Sequence, residues 1–231
     1  MTDEKQILLS LQNIRYLILQ YNMPIHLKEN IKNIISIYVW KLTETEEELL
    51  LLRPLSTEEY DCFCSLKNGK RRKEWLTNRI LLEQAIGKNF SLEYLPDGKP
   101  LLRNPDLFLS ISHSANFVAL CLSKNKNVGI DIEKIRENIA SLKHKFLLKK
   151  EAQIIDNSDV KLLHIYWGAK EAMYKMYSLY RPLFTEHLLL SCIDIQNGCA
   201  IGKIGKEDFN KTVNVIFKQI EDNMLVCCFE D

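Results

Sequence analysis

Apolar residues recur along this chain with two periods, and each period predicts a kind of element. Ile7, Leu8, Leu11, Ile14, Leu17 and Ile18 fall at helical spacing, so residues 5–20 read as an amphipathic helix. Residues 34–41, Ile-Ile-Ser-Ile-Tyr-Val-Trp-Lys, are β-branched and aromatic and read as a strand. A helix should follow Thr43, where Thr43-Glu44-Thr45-Glu46 offers a cap and first-turn acids. Residues 70–86 predict the clearest helix of the first half, with Gly87 as its stop. Asp97-Gly98 marks a turn. Strands are expected at 107–111 and 117–122, separated by a loop of Ser112-His113-Ser114-Ala115-Asn116. The second half predicts a strand at 128–133, a helical stretch near 137–156, a strong helix at 162–178, and strands at 190–195, 211–217 and 223–229.

Strands and helices are mixed within each half, which points to an α+β fold and not to a doubly wound parallel sheet. The polar stretch Lys124-Asn125-Lys126-Asn127 is the expected boundary. The chain therefore divides into an N-terminal extension at 1–22, an N-terminal half at 23–124 and a C-terminal half at 125–231. Met23-Pro24 looks like a natural start, and a chain beginning there is expected to fold.

Composition narrows the class. Of 231 residues, 46% are hydrophobic and 26% charged, an ordinary globular balance. The net charge of +1 gives no global field for nucleic acid or a membrane surface. Seven cysteines are scattered without a C-x-x-C pair or a histidine cluster, which argues against zinc and for buried thiols in a reducing compartment. No apolar run approaches the roughly 20 residues of a membrane span. A cytoplasmic protein with no membrane and no nucleic-acid partner is the expectation.

Four segments carry candidate chemistry. Read as a strand, Val128-Gly129-Ile130-Asp131-Ile132-Glu133 puts Val128, Ile130 and Ile132 on one face and Gly129, Asp131 and Glu133 on the other. Two neighbouring carboxylates repel, a hard cation would relieve that, and the glycine would leave room for a ligand. The alternative is an edge strand whose acids face water. In Trp167-Gly168-Ala169-Lys170-Glu171-Ala172-Met173-Tyr174-Lys175, the residues Ile165, Ala169, Ala172 and Met176 form a buried stripe. Glu171 and Lys175 are then either a solvated i,i+4 pair or, with Lys170, a metal carboxylate beside two phosphate-binding ammonium groups. Ser112-His113-Ser114 could hydrogen-bond a phosphate or position a base. The basic run Lys67 to Lys73, continued by Arg79, opposes the helix macrodipole and favours an anionic partner.

Taken in order, Lys70-Arg71-Arg72-x-Glu74-Trp75-Leu76-x-x-Arg79, Gly98-Lys99-Pro100, Ser110-Ile111-Ser112-His113-Ser114, Gly129-Ile130-Asp131-Ile132-Glu133 and Trp167-x-x-Lys170-Glu171-x-x-x-Lys175 resemble the surfactin-synthetase-activating (Sfp) type of the 4′-phosphopantetheinyl transferase superfamily. The motifs cover about residues 37–178. The resemblance implies two pseudo-symmetric α+β halves with coenzyme A bound between them. It implies that Asp131, Glu133 and Glu171 hold Mg²⁺, and that Lys170 and Lys175 contact phosphate oxygens. Lys99, Ser112 and His113 would bind the coenzyme's phosphates, and Arg72 and Arg79 its nucleotide end, with Arg71 and Lys70 as substitutes. The implied reaction moves phosphopantetheine to a serine of an acyl or peptidyl carrier protein, with Glu171 as base and His113 as the alternative. A chain that contains both halves is expected to act as a monomer. A phosphohydrolase and a non-catalytic binding module remain the competing readings.

Overall fold

The computed structural model describes residues 25–88, 90–96, 98–104 and 106–230. The expected helix at 5–20, the start at Met23-Pro24 and Asp97 of the expected turn lie outside the described residues.

The N-terminal part runs β1 (Ile25–Ile31), β2 (Ile35–Lys41), α1 (Glu46–Leu52), α2 (Thr57–Ser65), α3 (Gly69–Ile86), β3 (Leu92–Tyr94), β4 (Pro100–Leu102), β5 (Leu107–Ser114) and β6 (Phe117–Lys124). The C-terminal part runs β7 (Val128–Lys134), α4 (Ile139–Leu142), α5 (Lys149–Ala152), α6 (Val160–Met176), β8 (Leu188–Asp194), β9 (Cys199–Lys206), β10 (Phe209–Ile220) and β11 (Asn223–Phe229). A four-stranded sheet has the order β1-β2-β6-β5, a five-stranded sheet the order β7-β11-β10-β9-β8, and β3 pairs with β4. The fold is mixed α+β, as expected.

Period-two alternation sets the layers. Ile35, Ile37 and Val39 of β2 face an inner core that also takes Val128, Ile130 and Ile132 of β7 and Leu225, Cys227 and Phe229 of β11. Tyr38 and Trp40 point the other way, against Trp75, Leu76 and Ile80 of α3. On the far side, Met224, Val226 and Cys228 of β11 pack against Leu163, Ala169, Ala172 and Met176 of α6. Two sheets thus share a core, with α3 outside one and α6 outside the other.

Local chemistry explains the principal helices. The Asn68 side chain accepts from the backbone N–H groups of Lys70 and Arg71, and Gly87 ends α3 at φ 88°. Helix α1 starts two residues later than expected, because Thr45 and not Thr43 makes the capping box with Glu48. The expected helix at 137–156 resolves into the short helices α4 and α5 with a 3₁₀ turn between them. The expected loop at 112–116 shrinks to Ala115-Asn116, because β5 runs on to Ser114 and pairs there with Phe117. Strands β1, β3, β4 and β9 and helix α2 had no strong periodic signal. Cys121, Cys227 and Cys228 are buried as expected, but Cys62, Cys64 and Cys192 are exposed. None of the described helices is long and apolar enough to cross a membrane.

Strand β7 lies at an edge of its sheet, and a buried edge leaves backbone N–H groups without partners. Serines on β5 close it. Ile130 N donates to Ser110 Oγ at 3.0 Å, Ile132 N to Ser112 Oγ at 3.3 Å and Lys134 N to Ser114 Oγ at 2.9 Å. The period of two in Ser110-Ile111-Ser112-His113-Ser114 matches the period of the exposed N–H groups, so one strand zips onto the other through side chains.

Gly129 does not leave space for a ligand, contrary to expectation. A Cβ there would stand 2.0 Å from the Ala172 carbonyl oxygen, so the glycine lets α6 lie against β7. Gly129→Ala is expected to lower stability by about 2–3 kcal/mol through overpacking against helix backbone. Thermal and urea unfolding measure this, and a change below about 0.5 kcal/mol would contradict the packing.

Candidate active site

Because α6 crosses β7 at this close distance, the acids of both elements lie near enough to raise one another's pKa. Asp131 is buried, and its Oδ1 accepts from Lys175 Nζ at 2.7 Å and from Ser112 Oγ at 2.9 Å. Asp131 Oδ2 is buried and has no hydrogen-bond partner among the described residues. Lys175 Nζ also donates to Ser112 Oγ at 2.9 Å and to the Ile130 carbonyl at 2.9 Å. All three ammonium donors are therefore used, and they join α6, β7 and β5 at one point. The edge-strand alternative with solvated acids fails for Asp131. The i,i+4 alternative also fails, because Lys175 pairs with Asp131 instead of Glu171.

The other two acids are poorly compensated. Burial pushes the Glu171 carboxyl up to about 7; Asp131 and Glu133 add to this, and Lys175 opposes it. No hydrogen bond from the described residues reaches Glu171. Glu133 is likewise raised, by burial first and Asp131 second, with Lys175 and Arg136 opposing. Among the described residues its one hydrogen-bond donor is Ser114 Oγ, at 3.5 Å.

The N-terminal part contributes a basic patch. His113 points to the α3 side of β5. Its Nε2 lies 2.6 Å from Arg71 Nη1, and its Nδ1 lies 3.6 Å from Glu74 Oε1. A guanidinium can only donate, so Nε2 is the acceptor and the proton sits on Nδ1. Burial lowers the His113 pKa; Glu74 raises it, and Arg71 and Lys175 lower it. The neutral ring has its lone pair occupied by Arg71. Glu74, part of the sequence motif but given no role there, is buried and gathers Lys70 at 3.6 Å, Arg71 at 3.5 Å and His113 around one carboxylate.

Four expected residues are placed elsewhere. Lys170 is fully buried and turned away from the acids, donating to Glu151, to the Phe146 carbonyl at 2.6 Å and to the Phe184 carbonyl at 3.1 Å. With three donors engaged it has none for a phosphate. Arg72 is tied to Glu46 at 2.7 Å and to the Leu66 carbonyl at 3.2 Å. Arg79 is buried, with its guanidinium carbon 3.2 Å from the Trp75 ring centroid and its Nε 3.3 Å from Glu59. Both arginines fasten helices together, which leaves the exposed Arg71 and Lys70 as the cations beside His113. Lys99 Nζ donates to the Met176 carbonyl at 2.9 Å and so holds the C-terminal end of α6. Asn127 supplies a second donor to the same carbonyl, at 3.0 Å.

Comparison with known proteins covers the segment in which the acids lie. Residues 127–221 match the model of the 4′-phosphopantetheinyl transferase superfamily. The matched segment contains β7 and α6, the two elements that carry Asp131, Glu133 and Glu171. Over 114 residues the chain is 35% identical to the 4′-phosphopantetheinyl transferase AcpT of Salmonella typhi, covering 46% of this chain and 59% of that protein. It is 26% identical over 159 residues to the 4′-phosphopantetheinyl transferase HetI of Nostoc sp., covering 60% and 67%. It is 27% identical over 150 residues to the 4′-phosphopantetheinyl transferase Sfp of Bacillus subtilis, covering 53% and 65%. The match thus spans less than two thirds of the Salmonella protein. Relatives of three kinds appear together, so the similarity does not single out the Sfp type.

The superfamily reading of Asp131, Glu133 and Glu171 as ligands of Mg²⁺ can be tested on their chemistry. All three offer hard oxygen donors, one Asp131 oxygen is orphaned, and the two glutamates are held at raised pKa by burial and mutual repulsion. That donor set fits a divalent cation. Among the described residues, no group of three or more such side chains is drawn together closely enough to hold an ion as it stands.

The raised Glu171 pKa makes stability depend on pH. The folded protein binds this proton more tightly than the unfolded chain, whose carboxyl titrates near 4.5. The contribution is complete below about pH 4.5 and is lost as pH rises to about 7. Without divalent cations, Glu171→Gln should therefore be more stable than wild type at pH 8, by on the order of 1 kcal/mol after solvent screening. It should also show a flatter dependence between pH 5 and 7.5. Urea unfolding across this range checks both, and parallel curves for the two proteins would contradict the assignment.

Proposed function

We propose that this chain is a 4′-phosphopantetheinyl transferase that moves phosphopantetheine from coenzyme A to a serine of a carrier protein. One observation carries the reading. Asp131 and Glu133 on β7 and Glu171 and Lys175 on α6 meet beside Ser112 of β5, at the seam of the two sheets. The superfamily match covers β7 and α6, and the Salmonella, Nostoc and Bacillus relatives bear that activity in their names. The same reading divides the described chain into halves meeting at residues 124–125.

The chemistry follows from charge. The carrier serine oxygen attacks the β-phosphorus of coenzyme A and forms a new P–O bond. The bond from that phosphorus to the bridging oxygen breaks, and 3′,5′-ADP leaves with the electron pair. The serine proton passes to Glu171, directly or through a water. His113 is the poorer candidate, because Arg71 occupies its Nε2. Arg71 and Lys70 hold the phosphates at the nucleotide end. Lys175 fixes Asp131, and its positive charge stands next to the breaking bond. Asp131, Glu133 and Glu171 are the residues that would hold Mg²⁺, which when bound neutralises diphosphate charge.

Intact-mass spectrometry of an apo carrier protein, incubated with this chain, coenzyme A and Mg²⁺, tests the proposal. One phosphopantetheine should be added, and EDTA or Glu171→Ala should abolish the gain. Arg71→Ala should raise KM for coenzyme A about tenfold, as loss of a charge-assisted contact does. Arg72→Gln, whose guanidinium faces Glu46, should leave KM nearly unchanged. Tight coenzyme A binding without transfer to several carriers would favour a non-catalytic binding module instead.

A further inference from the structure

Helix α6 carries Glu171 toward the acids on β7 and, one position earlier, Lys170 toward the opposite side. Successive helical residues differ by about 100° in direction, so whatever fixes one of these side chains fixes the angle of the other. Lys170 and Glu151 are both buried, at 0% and 2% side-chain exposure. The lysine donates to Glu151 Oε2 and to the Phe146 and Phe184 carbonyls. Glu151 in turn accepts from Leu148 N at 2.8 Å and from Leu190 N at 2.9 Å.

The pair therefore ties α6 to four backbone points on three separate segments: the 146–151 connector, the 184 turn and the start of β8. Trp167 packs against Phe146 and Phe184 beside the knot, with ring centroids 5.5 and 5.8 Å apart. A buried ion pair is poor value as a source of stability, because a well-packed apolar pair of similar volume is often as stable or more so. What it does provide is a unique arrangement of donors and acceptors, which two apolar side chains would not enforce.

We propose that Lys170 and Glu151 are positioning residues whose buried pair fixes the rotation of α6 and so sets Glu171 opposite Asp131 and Glu133. The proposal deepens the transferase reading and rests on it for the role of Glu171. Neither residue touches substrate, so the pair acts through Glu171.

The double variant Lys170→Met/Glu151→Leu removes both charges together and avoids leaving one buried alone. It should fold with a lowered melting temperature, because the Phe146 and Phe184 carbonyls and the Leu148 and Leu190 N–H groups lose their partners. Mn²⁺ binding, followed by the loss of the free-ion EPR signal, should weaken about tenfold, in the range seen when groups supporting metal ligands are removed. In the transfer assay, kcat should fall at least tenfold while KM for coenzyme A stays within threefold. A folded double variant with unchanged Mn²⁺ affinity overturns the proposal, whatever its activity. If the double variant does not fold, Glu151→Gln keeps the shape and should show both losses at about threefold; unchanged Mn²⁺ affinity and kcat there overturn it equally. Wild-type protein that binds Mn²⁺ but transfers nothing would sink the transferase reading and leave the Mn²⁺ comparison to decide the positioning role. Wild-type protein that binds no Mn²⁺ removes the site and the proposal with it.

Discussion

The structure depends on one seam, where the backbone edge of β7 is closed by serine side chains of β5 and by Lys175. An edge strand buried between two sheets would be costly, because each unpaired N–H loses its water without a replacement. Ser110, Ser112 and Ser114 replace the missing strand at every second residue. Ser112 is fully engaged, donating to Asp131 and accepting from Ile132 N and Lys175 Nζ. The contacts that join the two sheets are therefore the contacts that hold the first carboxylate of the site. Cohesion and chemistry are built from the same atoms.

From that seam the electrostatics follow. Lys175 neutralises Asp131, which leaves Glu133 and Glu171 without a dedicated counter-charge and with raised pKa values. Lys175 and, at Glu133, Arg136 supply two positive charges against three carboxylates. In the proposed reaction a divalent cation would correct that deficit, and a diphosphate would bring further negative charge for the exposed Lys70 and Arg71 to meet. Arg72 and Arg79 cannot share this task, since both are spent holding α1, α2 and α3 together.

Much of this was legible in the residues, and the exceptions have physical causes. The alternation in 128–133 showed which face of β7 carries acids, and the apolar stripe of α6 showed which side is buried, since Ile165, Ala169, Ala172 and Met176 are all inside. A one-dimensional pattern could not reveal which of Lys170 and Lys175 faces the acids, because the choice depends on Glu151 and two carbonyls distant in sequence. Gly129 misled for a similar reason. Its missing side chain reads equally well as ligand space or as helix contact until the Ala172 carbonyl is seen against it. The Arg79 side chain continued a basic run that pointed to an anionic partner, yet the fold stacks it on the Trp75 ring. The serine ladder was readable in principle, as three hydroxyls at a period of two, but only beside a strand with free N–H groups does that period acquire meaning.

The central claim is that Asp131, Glu133 and Glu171 form one divalent-cation and diphosphate site at the seam. The most direct measurement is an anomalous difference map from a crystal grown with Mn²⁺ and coenzyme A. The account predicts a single strong peak in contact with Asp131 Oδ2 and both glutamates, with the diphosphate beside it. Coenzyme A bound with the metal peak elsewhere, or with no peak at these three carboxylates, would contradict it.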